Sequence, residues 1–250
     1  MFVIITGLSS FAGLMFSSKP PQGYTGASGV YCTNCHGGNS LNSAGGMVEV
    51  NGLPDNGYTA GVSYTFSITA THSAADRKRW GFSIIARNSL NQNRGIFSTT
   101  NLNAGTNGSE LSHDEAVVTL AQSSYTYDDL TWTAPASPGA NDNTITFYFA
   151  ANAANGNNSN SGDFIYAGTK TISLALTYTF TGSGNWDNPA NWSNNTIPPA
   201  NIAGNATIVI DPPADGECVL NVMQQIGGSV NLIVKEGKKL IILGGLIISK

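Results

Sequence analysis

The strongest signal along the chain is an alternation of apolar and polar residues with a period of two. Val62, Tyr64, Phe66, Ile68 and Ala70 alternate with Ser63, Thr65, Ser67 and Thr69, which sets one face for burial and the other for water. Trp80, Phe82, Ile84 and Ala86 repeat the pattern, and residues 47–50, 116–120, 130–133, 144–151 and 164–176 supply further short strands. Turn-forming residues cluster between them at 53–57, 88–95, 103–109, 137–143 and 152–162. No stretch carries the period of an amphipathic helix. Many short strands at regular spacing predict an all-β protein, with an immunoglobulin-like β-sandwich over residues 47–176.

Beyond residue 176 the texture changes. Short apolar stretches recur at 206–210, 218–222, 230–234, 240–243 and 246–248, separated by Pro212-Pro213, Gly227-Gly228, Gly237 and Gly244-Gly245. Units of about ten residues fit stacked parallel coils, so residues 177–250 are predicted as a small parallel β-solenoid-like module. A second small sandwich is the competing reading. The last apolar stretch runs to Lys250 without a polar cap, so a truncated sequence is expected. Trp186 and Trp192 are expected to seal the open end of the coil rather than to form a carbohydrate platform. Cys218 is expected as a buried thiol on a strand.

Composition narrows the partners. The net charge is −4 and only 10% of residues are charged, with no basic run, which argues against nucleic acid and anionic membrane surfaces. Residues 2–16 form an apolar run too short to span a bilayer comfortably, ended by Ser17, Ser18 and Lys19. They predict a signal peptide over residues 1–18 and a secreted or bacterial cell-surface location. A buried first strand or helix is the alternative. No Lys or Arg precedes the run, which points to a start further upstream or a trimmed sequence. No cysteine follows closely enough for a lipoprotein anchor, and nothing after cleavage calls for membrane insertion.

The chemistry concentrates in an irregular loop, residues 19–46, rich in Gly, Ser and Asn. Two of the three cysteines and one of the three histidines stand there as Cys32-Thr33-Asn34-Cys35-His36. Two thiols at this spacing can each form a thioether with one vinyl group of a haem, and the adjacent histidine then lies under the iron. The expected cofactor is therefore haem c, held by Cys32, Cys35 and His36. A Cys32–Cys35 disulfide, a redox pair and half of a zinc site compete. A redox pair is expected between a strand and a helix, not in a Gly/Ser/Asn loop, and no second Cys/His pair stands at zinc spacing. For the sixth ligand His113 ranks first, His72 second and Met47 third; the plainer reading of His113 is a hydrogen bond to a loop.

The remaining polar features have plain readings. His72 is expected in solvent, and Asp76-Arg77-Lys78-Arg79 as a solvated hairpin tip. The 152–163 loop has a single carboxylate, Asp163, too few for a convincing calcium site. Trp80 and Trp132 are expected in the core. Asp128 and Asp129 are neighbours on a strand, where side chains point to opposite faces, which argues against shared acid–base work. No G-x-S-x-G elbow is present, and no hydrolase site emerges; an enzyme is not expected.

Certain runs carry a family resemblance. Gly23-Tyr24-Thr25-Gly26-Ala27 and the Cys-Thr-Asn-Cys-His run resemble the start of bacterial choice-of-anchor V domains. Trp80-Gly81-Phe82-Ser83-Ile84-Ile85-Ala86-Arg87, Gly95-Ile96-Phe97, Leu111-Ser112-His113, Trp132-Thr133-Ala134-Pro135 and Thr144-Ile145-Thr146-Phe147-Tyr148 resemble reelin-type (reeler) domains, and the run from Asn155 to Asp163 closes the match. Gly184-Asn185-Trp186-Asp187, Trp192 and Pro198-Pro199 look like the opening of bacterial surface β-solenoid modules. The resemblance implies an extracellular sandwich. It does not imply haem, because many reeler domains lack the C-x-x-C-H run. Two readings of function follow. One is a surface haem protein for electron transfer or for redox or ligand sensing, with a redox protein or another cell-surface component as partner. The other is a structural or adhesive module in which Cys32 and Cys35 form a disulfide.

Overall fold

The structure, a computed structural model, describes residues 18–55 and 57–249. The expected signal peptide lies outside the described residues, Ser18 excepted. Strand dominates throughout. By internal contacts the described residues divide into two compact units, the first from 18–53, Ser63–Thr133 and Thr146–Lys170, the second from 54–55, 57–62, Ala134–Ile145 and 171–249.

The sandwich is built from β1 Gly46–Asn51, β2 Ser63–His72, β3 Arg79–Asn88, β4 Ile96–Thr99, β5 Ala104–Asn107, β6 Glu110–His113, β7 Val117–Val118, β8 Ser124–Thr133, β9 Thr144–Ala154 and β10 Phe164–Ser173. One sheet runs β1-β2-β8-β4; the other runs β10-β9-β3-β6-β5, with β7 paired to β3. Alternation decides which side chains meet between the sheets. Phe66, Ile68 and Ala70 of β2 are buried, as are Tyr127, Leu130 and Trp132 of β8. Across the gap Trp132 meets Phe147 edge-on at 5.0 Å, and Phe82 meets Tyr127 at 4.5 Å.

Strand β3 is buried on both faces, from Trp80 through Ala86. Its second face is covered by the N-terminal loop. The buried Glu110 carboxylate of β6 joins the two: Oε2 accepts from Ser83 Oγ at 3.1 Å and Oε1 from the Gly23 amide at 2.8 Å. Burial pushes its pKa up, and these two hydrogen bonds oppose the rise. Lys19 pairs with Asp114 at 2.7 Å, and Asn107 Nδ2 donates to the Pro20 carbonyl. The loop is therefore irregular but tied down.

Several expectations are corrected. Residues 104–107, expected in a turn, form β5 and pair with β6, the tight connection lying at Gly108 and Ser109. Only Val117–Val118 of the 116–120 stretch is strand. Asp128 and Asp129 are both exposed, at a bulge in β8 rather than on opposite faces of a regular strand. Arg77 is buried, not a solvated tip: Nη1 donates to the Ala153 and Gly162 carbonyls at 3.0 and 2.9 Å, and the guanidinium lies over the Phe164 ring.

His72 is buried as well. Its ring lies 4.0 Å from Phe164, and Nδ1 accepts from the Ala74 amide. Burial and the nearby Arg77 charge lower its pKa below the ordinary 6.5, with Asp76 opposing. The unfolded chain then binds a proton at a pH where the folded chain refuses it, so stability falls as pH drops below about 6.5. His72→Phe keeps an aromatic ring against Phe164 and Tyr166. Urea midpoints measured between pH 7.5 and 5 are expected to fall less steeply for that variant. His113 titrates in the same sense, so the slope shrinks without vanishing.

The second unit holds β11 Leu176–Phe180, β12 Gly184–Asn185, β13 Asn201–Ile202, β14 Ala206–Ile210, β15 Cys218–Leu220, β16 Met223–Gly227, β17 Asn231–Val234, β18 Leu240–Ile242 and β19 Gly245–Ser249. Each strand pairs in parallel with the strand three further on, giving three sheets, β11-β14-β17, β12-β15-β18 and β13-β16-β19. That repeat is a small parallel coil. Phe180, Trp186, Trp192, Ile208, Cys218 and Leu220 belong to its core. Trp192 packs edge-on against Trp186, so neither indole offers a carbohydrate platform. Burial pushes the Cys218 thiol up to about 12, as expected of an inert core cysteine.

Candidate functional site

The C-x-x-C-H run folds as one tight turn. A 3-10 segment spans Cys32–Asn34, and the amides of Cys35 and His36 both donate to the Cys32 carbonyl, at 3.1 and 2.9 Å. This turn sets Cys32, Cys35 and His36 along the wall of one cleft. It is clamped by the loop after β9: Gly37 donates to the Asn160 carbonyl at 2.7 Å, Gly162 returns a bond to Gly37 at 3.0 Å, and Asn160 Nδ2 reaches the Cys35 carbonyl. The 152–163 loop, expected as a solvated turn, is part of the site.

That loop carries the charge that orients His36. Asp163, its side chain 1% exposed, places Oδ2 2.7 Å from His36 Nδ1. A carboxylate there accepts the Nδ1–H, which leaves Nε2 with its lone pair free for a metal.

Cys32 and Cys35 are free thiols. Burial pushes Cys32 up to about 12; a bond from its own backbone lowers it somewhat, and the charge of Cys35 raises it. A thiol so held is a poor nucleophile at neutral pH, which speaks against Cys32 as the attacking thiol of a redox pair.

His113 ends β6 and is 8% exposed. Its Nδ1 lies 2.9 Å from the Phe82 carbonyl oxygen and 3.0 Å from the Phe82 amide nitrogen, so Nε2 is the nitrogen not engaged by β3. Burial lowers its pKa; the Phe82 bond opposes this, and the charge of His36 adds to it, so the two rings feel each other. Gly81 makes room for the ring: a Cβ there would stand 2.8 Å from His113 Cε1.

Cys32, Cys35, His36 and His113 line one cleft of about 960 Å³, counting the solvent at its mouth. Its walls include the apolar Pro20, Tyr24, Trp80 and Phe82. Among the described residues no three His, Cys, Asp or Glu side chains converge to share one ion. Two thiols beside a histidine whose Nε2 is uncommitted, with His113 on the same cleft, are the donor set that a haem would take. Met47 is exposed on β1, and neither it nor His72 lines the cleft.

Sequence reasoning missed Asp163, Asn152 and Gly81. Asp163 had a signal, a lone carboxylate after eight Asn, Gly and Ser residues and directly before an apolar strand. Gly81, between Trp80 and Phe82, had a second: a glycine inside a strand marks a close approach.

No protein-family model matches the chain, and no curated protein matches it. Among solved structures, the reeler domain of human F-spondin is 15% identical, with a TM-score of 0.35, over 55% of this chain and 94% of that one. A cohesin module from a family 33 glycoside hydrolase of Clostridium perfringens is 9% identical, with a TM-score of 0.35, over 53% of this chain and 98% of that one. A DUF4466 family protein from Parabacteroides merdae is 15% identical, with a TM-score of 0.31, over 52% of this chain and 45% of that one. A reeler domain is thus among the structural neighbours. At these scores none of them bears on what the cleft holds.

Proposed function

We propose that the chain is an exported, cell-surface or secreted carrier of a covalently bound haem c, working in electron transfer or in redox or ligand sensing. One observation carries the reading. His113, distant in sequence, lines the same cleft as Cys32, Cys35 and a histidine whose Nδ1 is already committed to a buried carboxylate. Cys32 and Cys35 would hold the porphyrin by thioether bonds, an addition across each vinyl group that needs no external oxidant, and His36 Nε2 and His113 Nε2 would be the nitrogens offered to its iron. Pro20, Pro21 and Tyr24 give the cleft an apolar wall, which favours the less charged state of a group enclosed there. The bound group supplies one-electron chemistry at its iron. A redox protein or another surface component is the partner class.

The test is expression for export alongside a haem-attachment system. A red protein with a Soret band that survives acid–acetone extraction, and a mass increased by one haem, is expected. A colourless protein whose two thiols react only after reduction would reject the reading. It would favour a structural or adhesive module with a Cys32–Cys35 disulfide.

A further inference from the structure

We infer that Asp163 is a positioning residue that fixes the His36 imidazole with Nε2 toward the cleft and keeps the reduction potential of the site low. The inference deepens the haem reading and rests on it.

Two observations bear on it. The first is the 2.7 Å contact between Asp163 Oδ2 and His36 Nδ1, made by a carboxylate almost wholly shielded from water. In a shielded site a charge-assisted hydrogen bond is stronger than in water, and screening by salt is weak. The second is Asn152. Its amide lies 3.2 Å from the same Nδ1, drawn with the nitrogen facing the ring, and its Oδ1 is buried without a partner. Amide orientation is assigned from the network around it. Turned the other way, the amide oxygen would face the ring at the same distance and share the single Nδ1–H with the carboxylate; Asn152 thus tolerates the Nδ1–H form, and the 2.7 Å contact with Asp163 is what favours it.

The carboxylate is itself built in. Asp163 Oδ1 accepts from the Asn155 amide at 3.2 Å, and the Asp163 carbonyl accepts from Asn39 Nδ2 at 2.9 Å. Arg77, through the Gly162 carbonyl, holds the residue next to it. A histidine that donates to a carboxylate is a more basic ligand, and a more basic ligand stabilises the oxidised, more positive metal. A neutral residue at 163 removes that bias.

The experiment has two arms. In the haem-free protein, ¹⁵N chemical shifts of the neutral His36 ring report which nitrogen carries the proton. The Nδ1–H form is expected to predominate, and Asp163→Asn, whose amide can donate as well as accept, is expected to lose that preference. In the haem-loaded protein, spectroelectrochemical titration is expected to show a higher midpoint potential for Asp163→Asn, partly restored by Asp163→Glu. Asn42→Ala, which loosens the N-terminal loop at Ala167 and not at Asp163, should leave the potential where it was. An Nε2–H ring in the unmodified protein overturns the inference, and so does a potential that Asp163→Asn does not move or that Asn42→Ala moves equally. If the protein takes up no haem, the reading of the site fails by itself. The ring tautomer then still decides whether Asp163 sets His36.

Discussion

His113→Ala is expected to turn a six-coordinate, low-spin haem protein into a high-spin one whose sixth position is open or holds water. Low spin requires two strong axial ligands, and His36 supplies only one. Among the described residues His113 is the other histidine lining the cleft, and its Nδ1 is occupied by the Phe82 backbone. Removing the ring should leave thioether attachment intact, since Cys32 and Cys35 belong to a separate turn. Carbon monoxide binding to the reduced protein should rise sharply. His72→Ala should leave the spectrum alone, because His72 is packed on Phe164, away from the cleft lining. Gly81→Val reaches the same end by another route: its Cβ would press on the imidazole from 2.8 Å and push the ring aside. An unmodified protein that is already high spin, unchanged by His113→Ala, would mean an open iron position. The function would then move from electron transfer toward ligand sensing.

The two halves of this site were not equally legible. Cys32, Cys35 and His36 are contiguous, so their chemistry is written in local spacing. His113 could be ranked because it stands at the entry to the 116–120 stretch, and a strand end is where a loop folded over the sandwich can meet it. Asp163 could not be ranked. Its contact with His36 depends on the bridge between Gly37 and Ser161, a pairing of two irregular segments that no periodicity announces. The same blindness hid Arg77 and His72. His72 closes β2 at the start of a polar run and Arg77 lies within that run, which ordinarily means solvent. Here two carbonyls around the 152–163 loop and the Phe164 ring give them a place inside. Alternation in β2, and the recurrence of short apolar stretches after residue 200, were legible because burial of one face repeats every second residue. Residues 103–109 were read as turn, so β5 was not legible, since Asn, Gly and Thr fill it and only Ala104 of its side chains is buried.

A second large effect is expected at Gly38, and a small one at its neighbour Gly37. Both follow His36, and by sequence they are equivalent. Their surroundings are not. Gly38 has φ +105°, and a Cβ built on it would stand 2.8 Å from the Gly162 backbone nitrogen. That nitrogen donates to Gly37 and is part of the clamp between the C-x-x-C-H turn and the 152–163 loop, so it cannot yield without breaking the clamp. Backbone strain alone costs about 1–3 kcal/mol for a side chain forced into such a conformation, and the collision adds to it. Gly37 has no atom within 4 Å of its Cβ position and no left-handed φ. Ala there keeps the amide that Asn160 accepts and, where unstrained, lowers the entropy of the unfolded chain. Gly38→Val should therefore lose several degrees of thermal midpoint and weaken the His36–Asp163 contact, which depends on the same clamp. Gly37→Ala should stay within about 0.5 kcal/mol of the unmodified protein. Equal losses at both positions in urea unfolding would mean that the clamp does not hold the turn. His36 would then be oriented by something other than the loop that carries Asp163.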